Sequence, residues 1–213
     1  MISASTFGPA LARLTANGFV AYPTETVWGL GACADRSQAI ERLAHWKGRA
    51  AGAPMSLLVS SVEEAAGMGC IVEGPARRLI EAFWPGPLTL VVPCRGRFAS
   101  GVHRADGALG LRCSSHPLAH ALAVAVGEAG LGPLTSTSMN RSGELPARDL
   151  AAAHVLVQTS EFGDWTEPVL VRDSDHDAGG EAPSSVVDCT GETPEVLREG
   201  SIDRGRLEEV WSR

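Results

Sequence analysis

The chain has very little lysine, few aromatic residues and no long hydrophobic run. Of its 18 basic side chains, 17 are arginines and the exception is Lys47. Aromatic residues make up 5% of the 213 residues. The apolar runs fall short of the roughly 20 residues that a membrane-spanning helix needs, and residues 1–18 lack the basic start of a signal peptide. We therefore expect a cytoplasmic protein without a membrane partner.

The cysteines are too few and too scattered for a disulfide framework. There are five of them, and the two nearest in sequence, Cys94 and Cys113, are 19 positions apart. Disulfide frameworks use even numbers of cysteines, and zinc knuckles place their cysteines much closer together. We therefore expect free thiols, which are typical of a reducing compartment.

Positive charge is not in excess either. The formal net charge is −7 at neutral pH. A protein that binds nucleic acid through bulk electrostatics needs a broad basic surface, which this composition does not provide. A local cluster of arginines is still compatible with it, so the charge does not exclude an anionic ligand.

The common nucleotide and metal motifs are missing. There is no G-x-x-x-x-G-K-[ST] loop, and the Gly29–Gly31 segment lacks the third glycine of a dinucleotide fingerprint. His116 and His120 have the spacing of two zinc ligands on a helix, but no third ligand accompanies them. The acidic residues of the segment 173–177 depart from the spacing of a calcium loop. We expect no metal held by protein side chains.

The residues that are present predict a compact α/β fold. Hydrophobic residues are 44% of the chain, and no linker divides it, so we predict a single domain over residues 1–213. Apolar runs predict strands at Phe19–Tyr22, Met55–Val59, Leu88–Val92, Leu109–Cys113, Val169–Val171, Val186–Asp188 and Glu195–Arg198. Periodicity and capping residues predict helices at Pro9–Ala16, from an Asp35 cap to Lys47, at Pro75–Phe83, at His116–Val126, after Asp149 and at Asp203–Trp211.

Two polar segments follow predicted strands. The first runs from Thr24 to Gly31, and the second, from Leu134 to Gly143, is rich in hydroxyl and amide side chains. We interpret both as loops, and loops at strand ends are where α/β sheets usually bind ligands. With Lys47, Arg49 and Arg112 in the chain, they suit phosphates and carboxylates. The alternative is that these hydroxyls only form turns and helix caps.

The lone lysine is the residue that composition explains least. Lys47 is predicted to end a helix beside the small, flexible segment 48–53, where we do not expect burial against a core. An ammonium is a compact point charge with rotatable donors, whereas a guanidinium is a rigid planar fork. We therefore expect Lys47 to serve a phosphate and the fold to tolerate Lys47→Arg.

Five ordered motifs resemble one known family. They are Tyr-Pro-Thr-Glu-Thr-Val-Trp-Gly-Leu-Gly at 22–31, Lys-Gly-Arg at 47–49, Trp-Pro-Gly-Pro-Leu-Thr-Leu at 84–90, Gly-Leu-Arg at 110–112 and Ser-Thr-Ser-Met-Asn-Arg-Ser-Gly at 136–143. Together they are similar to the YrdC-like family, over about Phe19 to Ile202. The resemblance implies an open, twisted mixed α/β sheet with helices on its faces around a concave ligand cleft. It also implies the short, single-domain type of the family.

The best-known YrdC-like proteins are threonylcarbamoyl-AMP synthases. They make threonylcarbamoyl-AMP and pyrophosphate from L-threonine, bicarbonate and ATP, for the threonylcarbamoyl-adenosine of tRNA. The resemblance therefore implies a nucleotidyltransferase with these three substrates as partners. It implies Mg²⁺ carried by the ATP phosphates without a protein cage. It also makes tRNA, or the complex that transfers the group to tRNA, a further candidate partner.

The resemblance assigns site residues position by position. Lys47, Arg49, Ser138 and Asn140 correspond to the catalytic group that holds the ATP phosphates, and Arg198 corresponds to a late nucleotide contact. The threonine pocket corresponds to Thr24, Ser56, Arg112, Ser136 and Ser184.

The chain departs from the family pattern at a few positions. Trp28 stands where the family often has tyrosine, and Ser185 stands where it often has threonine. Two alternatives stay open at this point. One is an RNA-binding or ribosome-maturation factor that uses the same cleft, and the other is a nucleotide-binding paralogue with a different carbamoyl acceptor.

Overall fold

The computed structural model describes residues 4–50, 52–161, 166–173, 180 and 182–213. After a short 3-10 turn at Ala4–Phe7, the helices are α1 (Gly8–Thr15), α2 (Ser37–Lys47), α3 (Val62–Gly67), α4 (Gly74–Phe83), α5 (Pro117–Glu128), α6 (Leu150–Gln158) and α7 (Arg204–Trp211). The strands are β1 (Phe19–Tyr22), β2 (Gly29–Ala32), β3 (Ser56–Leu58), β4 (Leu88–Pro93), β5 (Ala108–Arg112), β6 (Leu134–Ser138), β7 (Val169–Leu170), β8 (Ser185–Asp188) and β9 (Glu195–Arg198).

The strands of the described ranges form one mixed sheet in the order β7-β1-β2-β6-β3-β5-β4-β8-β9. Strand β1 is antiparallel to β2 and parallel to β7, and β3 is parallel to β5 but antiparallel to β6. Strand β4 is antiparallel to β5 and parallel to β8. The predicted open mixed α/β sheet is therefore confirmed, while the single domain over 1–213 stays a prediction.

Helices cover both faces of the sheet. Phe19 and Ala21 of β1 pack in a core with α2, α4, α6 and α7, whereas Val20 and Tyr22 pack in a second core with α1 and α5. Successive side chains of a strand point to opposite faces, so β1 is apolar at every position because both faces are buried. Burial also raises the pKa of Tyr22 to about 12.

Parts of both polar segments are strands and not loops, which corrects the sequence interpretation. Gly29–Ala32 forms β2, and Leu134–Ser138 forms β6. A Cβ atom on Gly31 would lie 2.5 Å from Cγ of Leu134 and 2.6 Å from the carbonyl oxygen of Thr135. The Thr135 hydroxyl accepts a hydrogen bond of 3.0 Å from the Ala32 amide. Gly31 thus allows the backbones of β2 and β6 to approach closely, and the Thr135 hydroxyl forms a hydrogen bond across this contact.

Side-chain caps confirm the predicted helix starts at His116, Asp149 and Asp203. Ser61, Asp149 and Asp203 each accept a hydrogen bond from a backbone amide of the first helical turn. The Asp35 cap is wrong, because α2 begins at Ser37 after Arg36 and has no side-chain cap bond. His116 caps α5 through its Nδ1, which accepts from the Leu118 amide at 3.3 Å.

The chain shows no helix that could cross a bilayer in the ranges that the structure describes.

We predict that Gly31→Ala lowers the free energy of unfolding by about 1–3 kcal/mol, because its methyl group overlaps Leu134 and the Thr135 carbonyl. Gly127→Ala is the matched control, because Gly127 lies near the end of α5 with open space around its Cβ position. It should be neutral or add up to about 1 kcal/mol. Urea unfolding of both variants measures the difference, and equal midpoints would contradict the close approach.

Candidate functional site

A cleft of about 450 Å³ lies across the sheet where polar strand ends meet. Eight of the ten residues that the sequence assigns to a site line it, and they are Thr24, Arg49, Ser56, Arg112, Ser136, Ser138, Ser184 and Arg198. A cleft of this size fits the volume range of small-molecule sites. The strands therefore collect into one cavity residues that are far apart in the chain.

Strand register explains the row of polar groups. Ser56 of β3 lies directly opposite Ser136 of β6, and Arg112 of β5 lies opposite Thr89 of β4. Gly110 makes room in this row, since a Cβ atom on it would lie 2.4 Å from the Ser56 hydroxyl oxygen. The side chains of the sheet are therefore polar where they border the cleft, while neighbouring positions are buried.

Arg112 is the most buried cation of the cleft, with 5% of its surface exposed. Its Nη2 donates to Oε1 of Glu25 at 2.7 Å and to the Thr26 hydroxyl at 3.2 Å. The other oxygen of Glu25 accepts from the Ser114 hydroxyl. Nε of Arg112 has no hydrogen-bond partner among the described residues, so the guanidinium keeps unused donor capacity.

The connection between β1 and β2 carries a compact group of hydroxyls. The oxygens of Thr24 and Thr26 are 2.9 Å apart, and Thr24 donates to the Val27 carbonyl at 2.6 Å. The Thr26 amide donates back to the Thr24 hydroxyl at 3.2 Å. Both threonines are buried, so this turn is rigid where it borders the cleft.

Strands β4, β8 and β9 form one border of the cleft. The hydroxyl oxygens of Thr89 and Ser184 are 2.9 Å apart. Arg198 donates through Nη2 to the Ser184 hydroxyl at 3.1 Å and through Nε to the Ser184 carbonyl at 3.0 Å. Burial, and then the neighbouring charge of Arg112, lower the pKa of Arg198.

Arg49, which follows α2, forms a further border of the cleft. Gly48 ends that helix in the left-handed conformation with a φ of 61°. Arg49 then folds back and donates to the carbonyl of Ala53 at 3.3 Å and to that of Pro54. Burial lowers its pKa.

The cleft is locally cationic although the chain is acidic. Among the described residues, four arginines line it, namely Arg49, Arg112, Arg148 and Arg198, and the carboxylate of Glu25 pairs with Arg112. Like charges held in a partly desolvated cavity repel one another and attract an anion. The electrostatics therefore favour ligands that bring phosphates or carboxylates.

Lys47 lies behind the cleft and does not line it. Lys47 is only 2% exposed. Its ammonium donates to the carbonyls of Ser138 and Asn140 and to Oδ1 of Asn140. The distances to the two Asn140 oxygens are 2.9 and 3.1 Å. The Ser138 hydroxyl donates to the same Oδ1 at 2.6 Å. Lys47 thus fixes the end of β6 at the cleft.

Two opposing effects act on the Lys47 proton. Burial, and then the charge of Arg49, lower the pKa of Lys47 to about 7. Its three partners, however, are all oxygens that can only accept, so they match the three donors of an ammonium. A neutral amine would point its lone pair at one of these oxygens. We therefore assign the charged form at neutral pH.

Two further contacts join the end of α2 to the segment that follows β6. The Ser142 amide donates to the Lys47 carbonyl at 2.7 Å. The Arg141 guanidinium carbon lies 4.6 Å from the centroid of the Trp46 ring. Asn140 completes the segment by donating to the carbonyls of Arg141 and Glu144, each at 2.8 Å.

Comparisons with known proteins identify the family of this chain. The family model Sua5/YciO/YrdC, described by the words telomere recombination, matches residues 12–200. The chain belongs to the Sua5/YciO/YrdC family.

Two curated relatives of this family carry the name threonylcarbamoyl-AMP synthase. The Xanthomonas oryzae pv. oryzae (strain PXO99A) protein is 37% identical over 178 residues, which are 79% of this chain and 93% of the relative. The Bacillus subtilis (strain 168) protein is 32% identical over 207 residues, which are 94% of this chain and 55% of the relative. The chain therefore spans about half the length of the B. subtilis relative.

A solved structure of the family, P. abyssi Sua5 complexed with L-threonine, has a similar fold. The TM-score is 0.82 with 27% sequence identity, and the match covers 99% of this chain and 58% of that one. The Sua5-like fold predicted from the motifs is thus confirmed.

Within the Sua5/YciO/YrdC fold, Lys47 and Asn140 are placed differently from the sequence expectation. Both are buried beneath Ser138 and neither borders the cleft. The expectation that Lys47 is not buried is wrong, because the carbonyls that surround it lie 91 and 93 positions along the chain. Arg49 and Ser138 do border the cleft, and their assignment to ATP phosphates stays a prediction.

Sequence reasoning missed several cleft residues. Thr26 and Glu25 lie inside the first motif and could have been found from their polarity beside Thr24. Thr89 lies in an apolar strand, where a single hydroxyl is a usable signal. Arg148 and Leu145 border the cleft from the connection after β6, and no pattern in the sequence marks them.

No group of three or more side chains that could hold a metal ion occurs in the described part of this family member. His116 is a helix cap, as its Nδ1 contact to α5 requires. Asp175 and Asp177 of the acidic stretch lie outside the described residues. Glu25 is engaged by Arg112 and Ser114, so it does not offer a free carboxylate.

We predict that Lys47→Arg lowers the free energy of unfolding by about 1–3 kcal/mol, because the larger planar guanidinium must enter a filled, buried site. Arg206→Lys on exposed α7 is the control and should change stability by less than about 0.5 kcal/mol. Chemical denaturation of both variants checks the result. A Lys47→Arg protein as stable as the parent would show that the pocket accepts either cation.

Proposed function

We propose that the chain is an L-threonylcarbamoyladenylate synthase. It joins L-threonine, bicarbonate and ATP into threonylcarbamoyl-AMP and releases pyrophosphate and water. The observation that carries the proposal is a cleft that contains a buried arginine with neighbouring hydroxyls and further arginines that suit phosphates. The names of the curated relatives and the threonine in the P. abyssi structure support it.

Threonine binds at the end of the cleft near Arg112. The guanidinium pairs with the substrate carboxylate, since a charged hydrogen bond in a desolvated site is strong and directional. The hydroxyls of Thr24, Ser56 and Ser136 suit the hydroxyl and amine of threonine. Glu25 holds Arg112 in place from behind, through the ion pair of 2.7 Å.

ATP places its phosphates near Arg49, Ser138 and Arg198. The carbamate formed from threonine and bicarbonate attacks the α-phosphorus, and pyrophosphate leaves with the bond electrons. Charge builds on the phosphate oxygens during this transfer, and fixed cations and hydroxyl donors stabilise it. Lys47 contributes indirectly, since it holds the Ser138 segment at the cleft.

The side chains of the cleft favour direct transfer over a covalent protein intermediate. Cys113 follows Arg112, but burial raises the pKa of its thiol to about 11 and its Sγ donates to the Ser60 carbonyl at 3.6 Å. A thiol with so high a pKa is a poor nucleophile at neutral pH. The reaction therefore depends on positioning and charge stabilisation.

Mg²⁺ enters with the phosphates of ATP in this proposal. The described residues around the cleft offer hydroxyls and guanidinium groups, which do not form a carboxylate cage. A cation with a strong preference for phosphate and water oxygens needs no such cage. The metal would neutralise phosphate charge alongside Arg49 and Arg198.

The product would pass to a tRNA-modifying transfer complex, and we propose the cytoplasm as the compartment. Bicarbonate and tRNA are partners that this proposal adds. The acidic net charge and the comparisons do not favour the RNA-binding alternative. The paralogue with another acceptor differs from the main proposal only in its amino-acid requirement.

We predict that pyrophosphate release from ATP requires both L-threonine and bicarbonate. The described residues that line the cleft include no thiol or carboxylate that could activate water, so ATP alone should turn over slowly. A coupled pyrophosphate assay with each substrate omitted in turn checks this. Turnover that is independent of threonine, but dependent on a different amino acid, would favour the paralogue. If no combination of the substrates releases pyrophosphate, the synthase proposal is overturned.

We predict that Arg112→Ala weakens L-threonine binding by about 10- to 100-fold, the effect of losing one charged hydrogen-bonding partner. ATP affinity should fall much less, because the proposal places the phosphates toward Arg49 and Ser138. Calorimetric titration of each ligand separates the two. Arg206→Ala on exposed α7 is the matched control and should change neither affinity. An equal loss for both ligands would place Arg112 outside the threonine pocket.

A further inference from the structure

Two of the five cysteines face each other away from the cleft. Cys70, which follows α3, and Cys94, which follows β4, are partners in an isolated antiparallel bridge. Neither residue lines the cleft. All five cysteines are reduced in the structure.

The backbone bonds around this bridge define its type. The Ile71 amide donates to the Pro93 carbonyl at 2.9 Å, and the Arg95 amide donates to the Gly69 carbonyl at 3.0 Å. Bonds that flank a pair in this way make it a non-hydrogen-bonded antiparallel pair, whose Cα atoms are about 4.5 Å apart. That separation lies inside the window of about 4.4–6.8 Å in which disulfides form.

The two thiols also interact directly. Burial, and then contact with the Cys94 sulfur, raise the pKa of Cys70 well above its usual range. Cys94 is partly exposed, whereas Cys70 is 5% exposed. Sγ of Cys94 donates to the Met68 carbonyl at 3.7 Å, which holds it beside its partner.

The other cysteines lack this arrangement. Sγ of Cys113 is directed at the Ser60 carbonyl, and Cys33 bridges to Leu134. No second cysteine pair shares a bridge in the described ranges. The facing pair is therefore specific to Cys70 and Cys94.

We propose that Cys70 and Cys94 are a modification site that forms a reversible cross-strand disulfide with a low-molecular-weight disulfide as oxidant. The Cys94 thiolate attacks one sulfur of the oxidant, which releases one thiolate of the oxidant and forms a mixed disulfide. The Cys70 thiolate then attacks Sγ of Cys94 and releases the second. Two protein thiols become one disulfide, and the oxidant is reduced to two thiols.

The order of the steps follows from exposure. Cys94 reacts first because the oxidant reaches it, and Cys70 resolves the mixed disulfide because it already lies beside the Cys94 sulfur. The thiolate is the attacking species, so the raised pKa of Cys70 makes the second step slow at neutral pH and faster as the pH rises. The position of Cys70 beside the Cys94 sulfur offsets its small thiolate fraction, because the attack is intramolecular. A thiol reductant reverses both steps.

The disulfide would tie the end of β4 to the segment that leads into α4. It closes the loop 70–94, which contains α4 and β4. Cross-links of such loops stabilise the folded state mainly by restricting the unfolded chain. The effect concerns stability and is independent of the synthase proposal.

The test uses oxidised glutathione on the reduced full-length chain. Intact mass spectrometry should show the loss of two hydrogen atoms, and peptide mapping should recover Cys70 linked to Cys94. The melting temperature should rise by roughly 5–10 °C and return after dithiothreitol. The reaction should be faster in mildly alkaline buffer than at neutral pH.

Variants keep the proposal falsifiable. Cys70→Ala and Cys94→Ala should each abolish the loss of two hydrogens and the rise in melting temperature, while Cys113→Ala should keep both. A stable glutathione adduct on Cys94 that never resolves would overturn the proposal. A disulfide between any other two cysteines, or no change in mass, would overturn it as well.

Discussion

The buried ammonium of Lys47 is the interaction on which the geometry of the cleft depends. It ties the last turn of α2 to the end of β6 through three oxygen acceptors. Removing a charge from water is costly, and this cost is offset only when all of its donors are satisfied. Asn140 supplies two of the acceptors and uses its own amide to close the following turn. These hydrogen bonds hold the chain just beyond Ser138 and so position Ser138 at the cleft.

The same arrangement separates the roles of the basic residues. Arginines border the ligand space, where bidentate and directional donors suit anions. The one lysine lies behind the residues that line the cleft, where three oxygen acceptors surround its ammonium. A planar guanidinium fits such an arrangement of acceptors less well than an ammonium, so a lysine suits this position better than an arginine.

The sequence predicts the regular part of the fold well, because apolar periodicity records burial. β1 and β9 have the predicted bounds, and α4 differs from its prediction by one residue. Strands β2 and β6 were missed for a physical reason. Gly31 is needed for close backbone contact, and Ser136, Thr137 and Ser138 of β6 line the cleft, so neither strand shows the apolar pattern of a buried one.

The sequence predicted most residues of the candidate site, but not which of them line the cleft and which lie buried behind it. The family resemblance assigned the eight residues that line the cleft, and the mixed sheet explains why residues so far apart in the chain meet there. The burial of Lys47 depends on carbonyls far along the chain, and the pairing of Glu25 with Arg112 spans 87 positions. Side-chain periodicity carries no information about such contacts, so only the assembled sheet reveals them.

The interleaved strand order has a consequence for how binding and folding are coupled. β6 inserts between β2 and β3, and β8 joins the sheet beside β4, so the cleft exists only when segments from both ends of the chain have come together. Contacts of this range are slow to form, since loop closure must precede their benefit. Any ligand of the cleft must therefore act on the whole folding equilibrium, and by mass action it stabilises every strand at once.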